Sequence, residues 1–391
     1  SGQDVSWRPD HPLEGEAYPA TTVPNSLARS TAWLELPEGS VVTHAYLYWT
    51  GNSVPGDSLV SLGRTGADGF EVQIQAVRVF PPMGPLPPFI SADPAAINET
   101  YLSVADIGSL VATHGSGGYR LSGAAGEYLF DLNSSNVFSS WWMIVLYERD
   151  EEPLRSLAIH DGLDAVNYPA PFDVMLAGFE VPAANVNAEL ALVAIDGDNV
   201  IVGDSVSLDG NVLANATNPA NDFFNGTHSR HGVPVSTPGD LPQTTGAPGS
   251  LSGLDIDVLD VSAQVTPGAS QLTLSPRTTE LVFLTGVVFS INSPIAGLRD
   301  SSLAVEDING GALLPGDLLQ YTLTVVNGGS GAVDNVIVEG ALPIGTSLSP
   351  DSLEITSGPN AGTSTDAPGD DAAEYQSVSR EVVFRVGEGA D

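Results

Sequence analysis

The amino-acid sequence predicts an all-β protein built from tandem β-sandwiches. Glycine and proline are abundant, at 42 and 29 of 391 residues, and they separate short segments rich in valine, leucine, threonine and serine. Several segments alternate apolar and polar residues, which is the period of a half-buried strand. No helical period persists for more than about two turns. A chain of this length suggests two to four domains.

The predicted elements follow in order along the chain. Residues 1–28 are polar and interrupted by prolines, so we expect an extended arm laid over the first domain. Residues 29–165 and 166–292 each contain a series of short apolar segments, and we expect two related sandwiches of the jelly-roll or simple sandwich type. A short linker over 293–297 precedes a third β domain over 298–391.

The second sandwich repeats the segment order of the first. Four blocks recur at comparable spacing: 34–49 with 179–195, 57–63 with 204–210, 105–121 with 259–274, and 141–147 with 280–291. We interpret this as an internal duplication of one sandwich. The alternative is that any two β domains alternate in this way, but the shared Asp-Ser block of the second pair favours duplication.

Residues 313–343 contain two strands joined by a glycine turn. Pro315-Gly316-Asp317 is a turn, Leu319 to Val325 alternates as a half-buried strand, and Val336-Ile337-Val338 begins the return that ends at Leu342-Pro343. These motifs resemble the conserved-repeat domain of bacterial surface proteins, an immunoglobulin-like β-sandwich usually found in tandem. The resemblance covers about the last quarter of the chain, and it implies surface architecture rather than an activity.

The third domain ends at a strand over 382–386, whereas the family continues with further turns and a last valine-rich strand. We therefore expect an immunoglobulin-like domain that lacks its last strand, because a longer chain was truncated or because another chain supplies that strand. Unpaired sheet edges accept added strands. The expected partners are thus copies of this chain or other surface proteins, bound by strand addition at this domain.

The N-terminal region resembles the segment that precedes conserved repeats in large secreted proteins of Gram-negative bacteria. The matching pieces are Ala45–Trp49, Pro153–Arg155, Asp161-Gly162, Asp222–Asn225 and Gly253–Asp257 with Asp260. The resemblance implies no catalytic function. The chain begins without Met or an apolar leader, so we expect a mature chain exported through a removed signal peptide to the cell surface or the extracellular space. No run of 18 apolar residues occurs, which predicts no membrane span.

The chain is strongly acidic, with a formal net charge of −36 and no lysine. Nucleic acids and anionic membranes are therefore not expected partners, since both need a basic patch. The acidity fits a solvated surface, divalent-cation binding or adaptation to high salt. Cysteine is also absent, so neither disulfides nor Lys–Asn isopeptide bonds can form within this chain. Stability must then come from core burial, metals or partners.

Two acidic clusters are candidate calcium sites. Asp255 and Asp257 would share one face of a strand, with Asp260 at its end, and two carboxylates on one face repel unless a cation bridges them. The second cluster lies in a loop and comprises Asp196, Asp198, Asn199 and Asp204. Neither has the spacing of an EF-hand. The alternative is ordinary turn chemistry, in which Asp and Asn bind their own backbone.

Other chemistries receive weaker support. His228 and His231 have a zinc-compatible spacing only on a helix, which the neighbouring glycines and proline disfavour. No nucleophile elbow or selected carboxylate pair indicates an enzyme. Five aromatic residues could contribute to a glycan platform, namely Tyr46, Tyr48, Trp49, Trp141 and Trp142. Alternation places neighbouring members on opposite faces, so one set must be core and only a remainder could be exposed. The sequence thus predicts a non-enzymatic extracellular structural protein, a filament or matrix subunit, with a calcium-assisted adhesin for glycan or protein as the alternative.

Overall fold

The computed structural model confirms the all-β prediction. It describes residues 29–54, 56–64, 68–82, 84–85, 97–125, 139–150, 152–166, 170–183, 185–197, 199–241, 243–251, 253–293, 301–327 and 335–387. These residues form 27 strands and one short helix. The chain divides into two compact units, Ser1–Asn292 and Ser293–Asp391. The arm over 1–28 and most of the linker over 293–297 lie outside the described residues.

The first sandwich consists of two four-stranded sheets, with orders β1-β9-β3-β4 and β10-β2-β8-β5, and a separate short pair β6-β7. Its elements are β1 (Arg29–Leu34), β2 (Val41–Asn52), β3 (Leu59–Arg64), β4 (Phe70–Gln75), β5 (Arg78–Phe80), β6 (Gly84–Pro85), β7 (Ile97–Asn98), β8 (Thr100–Asp106), α1 (Gly108–His114), β9 (Gly117–Ser122) and β10 (Ser139–Glu148). Helix α1 was not predicted from the sequence. Its start is fixed by Asp106, whose Oδ1 accepts from the Gly108 amide at 2.8 Å.

The second sandwich has sheets ordered β12-β19-β14-β15 and β11-β20-β13-β18-β16-β17. Its strands are β11 (Arg155–Ala165), β12 (Val174–Ala177), β13 (Ala188–Ile195), β14 (Ser205–Leu208), β15 (Asn211–Leu213), β16 (His228–Arg230), β17 (Val233–Pro234), β18 (Leu254–Asp260), β19 (Gln271–Arg277) and β20 (Phe283–Asn292). The order β12-β19-β14-β15 matches β1-β9-β3-β4, and β20-β13-β18 matches β10-β2-β8. The predicted blocks thus occupy equivalent positions, while duplication as their origin stays a prediction.

Strand β11 corrects the predicted boundary between the sandwiches. A boundary at residue 165 assigns Arg155–Ala165 to the first sandwich, but β11 pairs along its length with β20 in the second. Pairing begins at Arg155 opposite Asn292 and ends at Ala165 opposite Phe283. Arg155 also binds Ser290 and Asn187 through its guanidinium group, which fixes the register. The second sandwich therefore starts near residue 155.

Each sandwich has its own apolar core. Alternation along β2 directs Leu47 and Trp49 into the first core, where both are fully buried. Alternation along β13 directs Leu190 and Leu192 into the second core, together with Phe289 of β20. Burial of such side chains stabilises a fold by about 1.5–3 kcal/mol each.

A third core joins the two sandwiches. It contains the opposite faces of the same central strands: Tyr48, Leu102, Val104 and Trp142 from the first sandwich, and Ala165, Val193, Ile195, Leu254 and Phe283 from the second. Tyr48 and Trp142 stack with ring centroids 5.5 Å apart and planes 4° apart. The Tyr48 hydroxyl donates to Asp161 Oδ2 at 3.1 Å, and Arg78 forms an ion pair with the same carboxylate. The two sandwiches therefore form one body.

The C-terminal unit contains three small antiparallel sheets, ordered β21-β22, β23-β27-β26 and β24-β25. Its strands are β21 (Ser302–Asp307), β22 (Leu319–Thr324), β23 (Ile337–Ala341), β24 (Leu353–Ile355), β25 (Gly362–Ser364), β26 (Ala373–Gln376) and β27 (Glu381–Arg385). Leu353, Ile355, Ala373 and Val383 are its buried apolar residues within the described part of the chain.

One expectation for this unit needs correction. Strand β22 forms as predicted, but it is not half-buried: Tyr321 and Leu323 are exposed, and so are Val305 and Leu303 opposite them on β21. This apolar face is uncovered because no second sheet packs on it among the described residues. The last strand, β27, is not itself an open edge, because it pairs on both sides, with β23 and β26. Within the described residues, the unpaired edges of its sheet are those of β23 and β26.

Candidate functional site

The most unusual chemistry of the molecule is a buried pair of carboxyl groups on β18. Alternation along this strand directs Leu254 and Ile256 toward the core between the sandwiches. Asp255 and Asp257 therefore face the interior of the second sandwich, where their exposures are 1% and 0%. Charged groups in such positions need compensating hydrogen bonds or a shifted pKa.

Asp255 is held by the backbone of the segment that covers it. Its Oδ1 accepts hydrogen bonds from the amides of Asn225, Gly226 and Thr227 at 2.9, 2.9 and 3.2 Å. Three consecutive amides can converge on one oxygen because Gly226 adopts φ +71°, which bends the chain around the carboxyl group. This carboxyl group therefore shapes the covering segment.

Asp257 is held by side chains of the same segment. Its Oδ1 accepts from Thr227 Oγ1 at 3.1 Å and from Ser229 Oγ at 2.5 Å. Asn218 lies beside them and donates from Nδ2 to Thr227 Oγ1 at 3.3 Å. Thr227, Ser229 and Asn218 are all fully buried. The result is a dry polar cluster in which hydroxyl, carboxamide and carboxyl groups meet.

The second oxygen of Asp255 has a different environment. Asp255 Oδ2 is buried and has no hydrogen-bond partner in the described part of the molecule. It faces Gly197, where an added Cβ would lie 2.8 Å from Oδ2 and 2.6 Å from the Phe224 carbonyl oxygen. The backbone of Gly197 thus fills the space beside Asp255 Oδ2. A neutral carboxyl group fits this space better than a carboxylate bound to a cation.

Burial raises the pKa of both carboxyl groups. For Asp255 the pKa is well above its ordinary range, because of desolvation first and the charge of Asp257 second. For Asp257, desolvation raises the pKa to about 6, against the opposing effect of hydrogen bonds from Ser229 and Thr227. Two carboxyl groups this close share protons as a pair. The pair therefore carries at least one proton over much of the acidic pH range.

These shifts predict a pH dependence of stability. A carboxyl group with a raised folded-state pKa contributes stability below its unfolded pKa near 4, and that contribution is lost as the pH rises through about 6. Through Asp257 alone, we expect the free energy of unfolding of the second sandwich to fall by about 3 kcal/mol between pH 4 and pH 6.5. Urea denaturation across this range measures the loss, and Asp257→Asn should reduce the slope. An identical slope in this variant would contradict the assignment.

The third residue of the predicted cluster is separate. Asp260 lies at the exposed end of β18 on the opposite face. Its Oδ1 accepts from the Ser262 amide at 3.0 Å and hydroxyl at 2.6 Å, and these bonds lower its pKa. This is the turn chemistry that the sequence offered as the alternative. The structure therefore brings together Asp255 and Asp257 but not Asp260.

The structure describes three of the four residues of the loop cluster. Asp196 follows β13 with φ +72°, and its amide donates to the Gly253 carbonyl at 2.7 Å, which places this loop beside the start of β18. Asn199 packs its amide group against Gly249. Asp198 lies outside the described residues.

Asp204 forms a second acidic site. It is fully buried just before β14 and forms a parallel bridge with Asp222. Thr278 Oγ1 donates to its Oδ1 at 2.5 Å, while Asp204 Oδ2 and Asp222 Oδ1 are buried without a partner in the described residues. Desolvation raises the pKa of Asp204 to about 6. Side-chain hydrogen bonds with Thr278 and Glu280 oppose this shift, and the charge of Asp222 adds to it.

The remaining candidates acquire structural roles. His228 is the first residue of the short strand β16 and His231 follows its end, so neither lies on a helix. His231 Nε2 is 2.9 Å from Glu189 Oε1. The proposed aromatic platform is not exposed: Tyr48, Trp49, Trp141 and Trp142 are all buried, and Tyr46 packs beside them. Alternation left a remainder of these aromatics that could be exposed, but both faces of this sheet are covered by other sheets.

Several residues of the site were not predicted from the sequence. Asn218, Thr227 and Ser229 surround Asp257, and Asp222 accompanies Asp204. The available signal was the density of small polar residues around the Asn225-Gly226 turn, in a segment without apolar alternation. Such a segment normally indicates an exposed loop. Its burial becomes evident only in the folded structure, where it packs over the inward-facing carboxyl groups of β18.

No three His, Asp or Glu side chains are grouped so that they could hold a metal ion in the described ranges. The same residues include no helix with the length and hydropathy needed to cross a membrane. No protein-family model matches the sequence, and no curated protein matches it either.

Proposed function

We propose that this chain is a non-enzymatic structural protein of a bacterial cell surface, a subunit of a filament or matrix. The observation that carries the proposal is the core between the sandwiches, with Phe283, Tyr48 and Trp142 at its centre. It unites two sandwiches of matching strand order into one body without disulfides. Broad burial of this kind resists local opening and proteolysis, which an exposed structural protein needs.

The proposed assembly takes place through the C-terminal unit. Leu303 and Val305 of β21 lie opposite Leu323 and Tyr321 of β22 and form one exposed apolar face. The outer edges of this two-stranded sheet have no partner strand within the described residues. Apolar strands with free edges accept further strands. The proposed partners are other copies of this chain or other surface proteins.

Cell-surface labelling tests the proposal. We expect antibodies against residues 29–292 to label intact cells of the producing bacterium as strongly as permeabilised cells. Electron microscopy of the purified chain should show filaments or oligomers, and a charged substitution such as Val305→Glu should reduce them. A matched change on the opposite strand face, Ala304→Glu, should have a smaller effect. Labelling that requires permeabilisation would refute the surface location.

Calcium-assisted adhesion is the second candidate, and the Asp204–Asp222 pair favours it. Their buried oxygens without donors are atoms that a divalent cation can bind. Calcium would compete with the proton that the raised pKa of Asp204 retains.

A calcium titration of thermal stability checks this candidate. We expect the melting temperature to rise with added Ca²⁺ and to fall with EDTA at pH 7, by several degrees at saturation. Asp204→Asn should abolish the response, whereas Asp260→Asn should retain it. An unchanged melting temperature in EDTA and in millimolar Ca²⁺, together with no binding to glycan arrays, would remove the support for an adhesin.

A further inference from the structure

Among the described residues, Trp33 near the end of β1 is the exposed tryptophan. Its exposure is 46%, whereas the tryptophans of β2 and β10 are at most 8% exposed. Glycines flank its ring: Gly118 is its partner on β9, and Gly239 lies beside it from the second sandwich. A Cβ at Gly239 would approach Trp33 Cε3 to 2.7 Å, and one at Gly118 would approach it to 3.4 Å. Glycine within a sheet often marks a place where a ligand comes close.

The segment 239–241 of the second sandwich holds this tryptophan in place. The Trp33 amide donates to Asp240 Oδ1 at 2.8 Å. The amides of Thr31 and Leu241 each donate to the other residue's carbonyl oxygen, at 2.8 and 2.9 Å. Because the segment is bonded to the edge of β1, the position of the indole ring is fixed before a ligand binds. Such preorganisation lowers the cost of binding.

Trp33 forms one wall of a groove of about 230 Å³. Arg64 forms another wall, and it donates to the carbonyl oxygens of His114 and Ser116 at 2.6 and 2.7 Å. These bonds direct the charge of Arg64 toward the turn that follows α1. The guanidinium group has five N–H groups, so Arg64 can also donate to a ligand. Glycine backbone at positions 117, 118 and 239 lines most of the remainder.

This lining suits a ligand with one apolar face and polar edges. Trp33 and Leu241 are its large apolar side chains, and the other lining groups are glycine backbone, a threonine and an arginine. A hydrocarbon or an aromatic peptide side chain would leave these polar groups unpaired. A pyranose ring matches them, because its axial C–H groups form an apolar face and hydroxyl groups surround it. Pockets for drug-sized ligands measure about 300–1,000 Å³, so this smaller groove accommodates one sugar unit of a longer chain.

We propose that the groove binds one hexose unit of a neutral saccharide, packed on Trp33 with its hydroxyl groups toward Arg64. The formal net charge of −36 disfavours an anionic saccharide. The groove gives the adhesin candidate a saccharide site. It rests on that candidate for the source of the saccharide, but it does not require calcium at Asp204.

Isothermal titration calorimetry of the full chain tests the proposal, with cellotetraose, maltotetraose, mannotetraose and galactotetraose as probes. We expect at least one of them to bind, with the same affinity in EDTA and in Ca²⁺. Tetragalacturonic acid, the charged counterpart of galactotetraose, should bind more weakly. Binding that persists in EDTA supports the groove even where calcium leaves the melting temperature unchanged. Binding that requires Ca²⁺, tighter binding of tetragalacturonic acid, or no heat from any neutral probe at millimolar concentration would overturn the proposal.

Three variants locate the site. Trp33→Ala should weaken binding of the best probe by about tenfold or more. Gly118→Val keeps Trp33 and the segment 239–241 but places a side chain against the ring, so it should also weaken binding. Tyr321→Ala removes a ring of similar exposure, 44%, from β22 and should leave the affinity unchanged.

Circular dichroism and thermal melting establish that each variant is folded, and Gly118→Val decides where Trp33→Ala is not. Unchanged affinity in a folded Trp33→Ala variant would overturn the proposal. So would unchanged affinity in Gly118→Val, or a loss in Tyr321→Ala as large as that in Trp33→Ala.

Discussion

Replacement of Asp255 by alanine is expected to destabilise the second sandwich by about 3–5 kcal/mol. The amides of Asn225, Gly226 and Thr227 all donate to its Oδ1, in a region that water does not reach. Alanine would leave these donors without an acceptor, at a cost of about 1–3 kcal/mol for each buried group. Removal of a buried carboxyl group offsets part of that cost at neutral pH.

Two substitutions make this prediction specific. Asp255→Asn keeps an acceptor at Oδ1 and removes the ionisable group, so we expect a change within about 1 kcal/mol at pH 7. Asp260→Ala lies on the same strand but is exposed, and it should cost about 0.5–1 kcal/mol through its bonds to Ser262. Urea denaturation at pH 7 measures all three. An Asp255→Ala variant as stable as Asp260→Ala would show that the covering segment does not depend on this carboxyl group.

The sequence predicted one half of this site. Period-2 alternation placed Asp255 and Asp257 on the same face of a strand, because side chains two residues apart point the same way. It could not indicate whether that face was the interior or the solvent. Burial depends on the segment around Gly226, whose turn converges on Asp255 only in the folded structure. The neighbour of Asp204 was missed for the same reason, since Asp222 is distant in sequence and meets Asp204 only through a parallel bridge.

The fold was predictable where local pattern determines it. Alternating strands gave the all-β class, and the matched blocks gave segments that recur in the same order along the chain in both sandwiches. The position of β11 was not predictable, because a strand between two domains can pair with either of them. Its pairing with β20 depends on tertiary contacts that the local sequence does not reveal. The burial of Trp142 in the core between the sandwiches was also missed. A sheet that is covered on both sides has no polar face, so its sequence does not show which face is exposed.

Replacement of Phe283 by alanine should uncouple the two sandwiches. Phe283 is fully buried in the core that joins them, while its neighbour Leu284 points into the core of the second sandwich. Loss of a buried phenylalanine costs about 3–5 kcal/mol. Because this loss falls on the contact between the sandwiches, we expect their common unfolding transition to separate into two.

Phe289→Ala is the matched control, since Phe289 is equally buried on the same strand but packs against Phe179 inside the second sandwich. Tryptophan fluorescence reports the first sandwich, because all five tryptophans precede residue 143. Amide exchange in β13 reports the second. In urea, the midpoints from the two probes should coincide for the wild type and diverge for Phe283→Ala. Phe289→Ala lowers the stability of the second sandwich and leaves the contact intact, so its two midpoints should diverge less. Equal divergence in both variants would mean that the common transition reflects the individual stabilities of the sandwiches and not the core between them. The proposed structural role, which depends on that core, would then be unsupported.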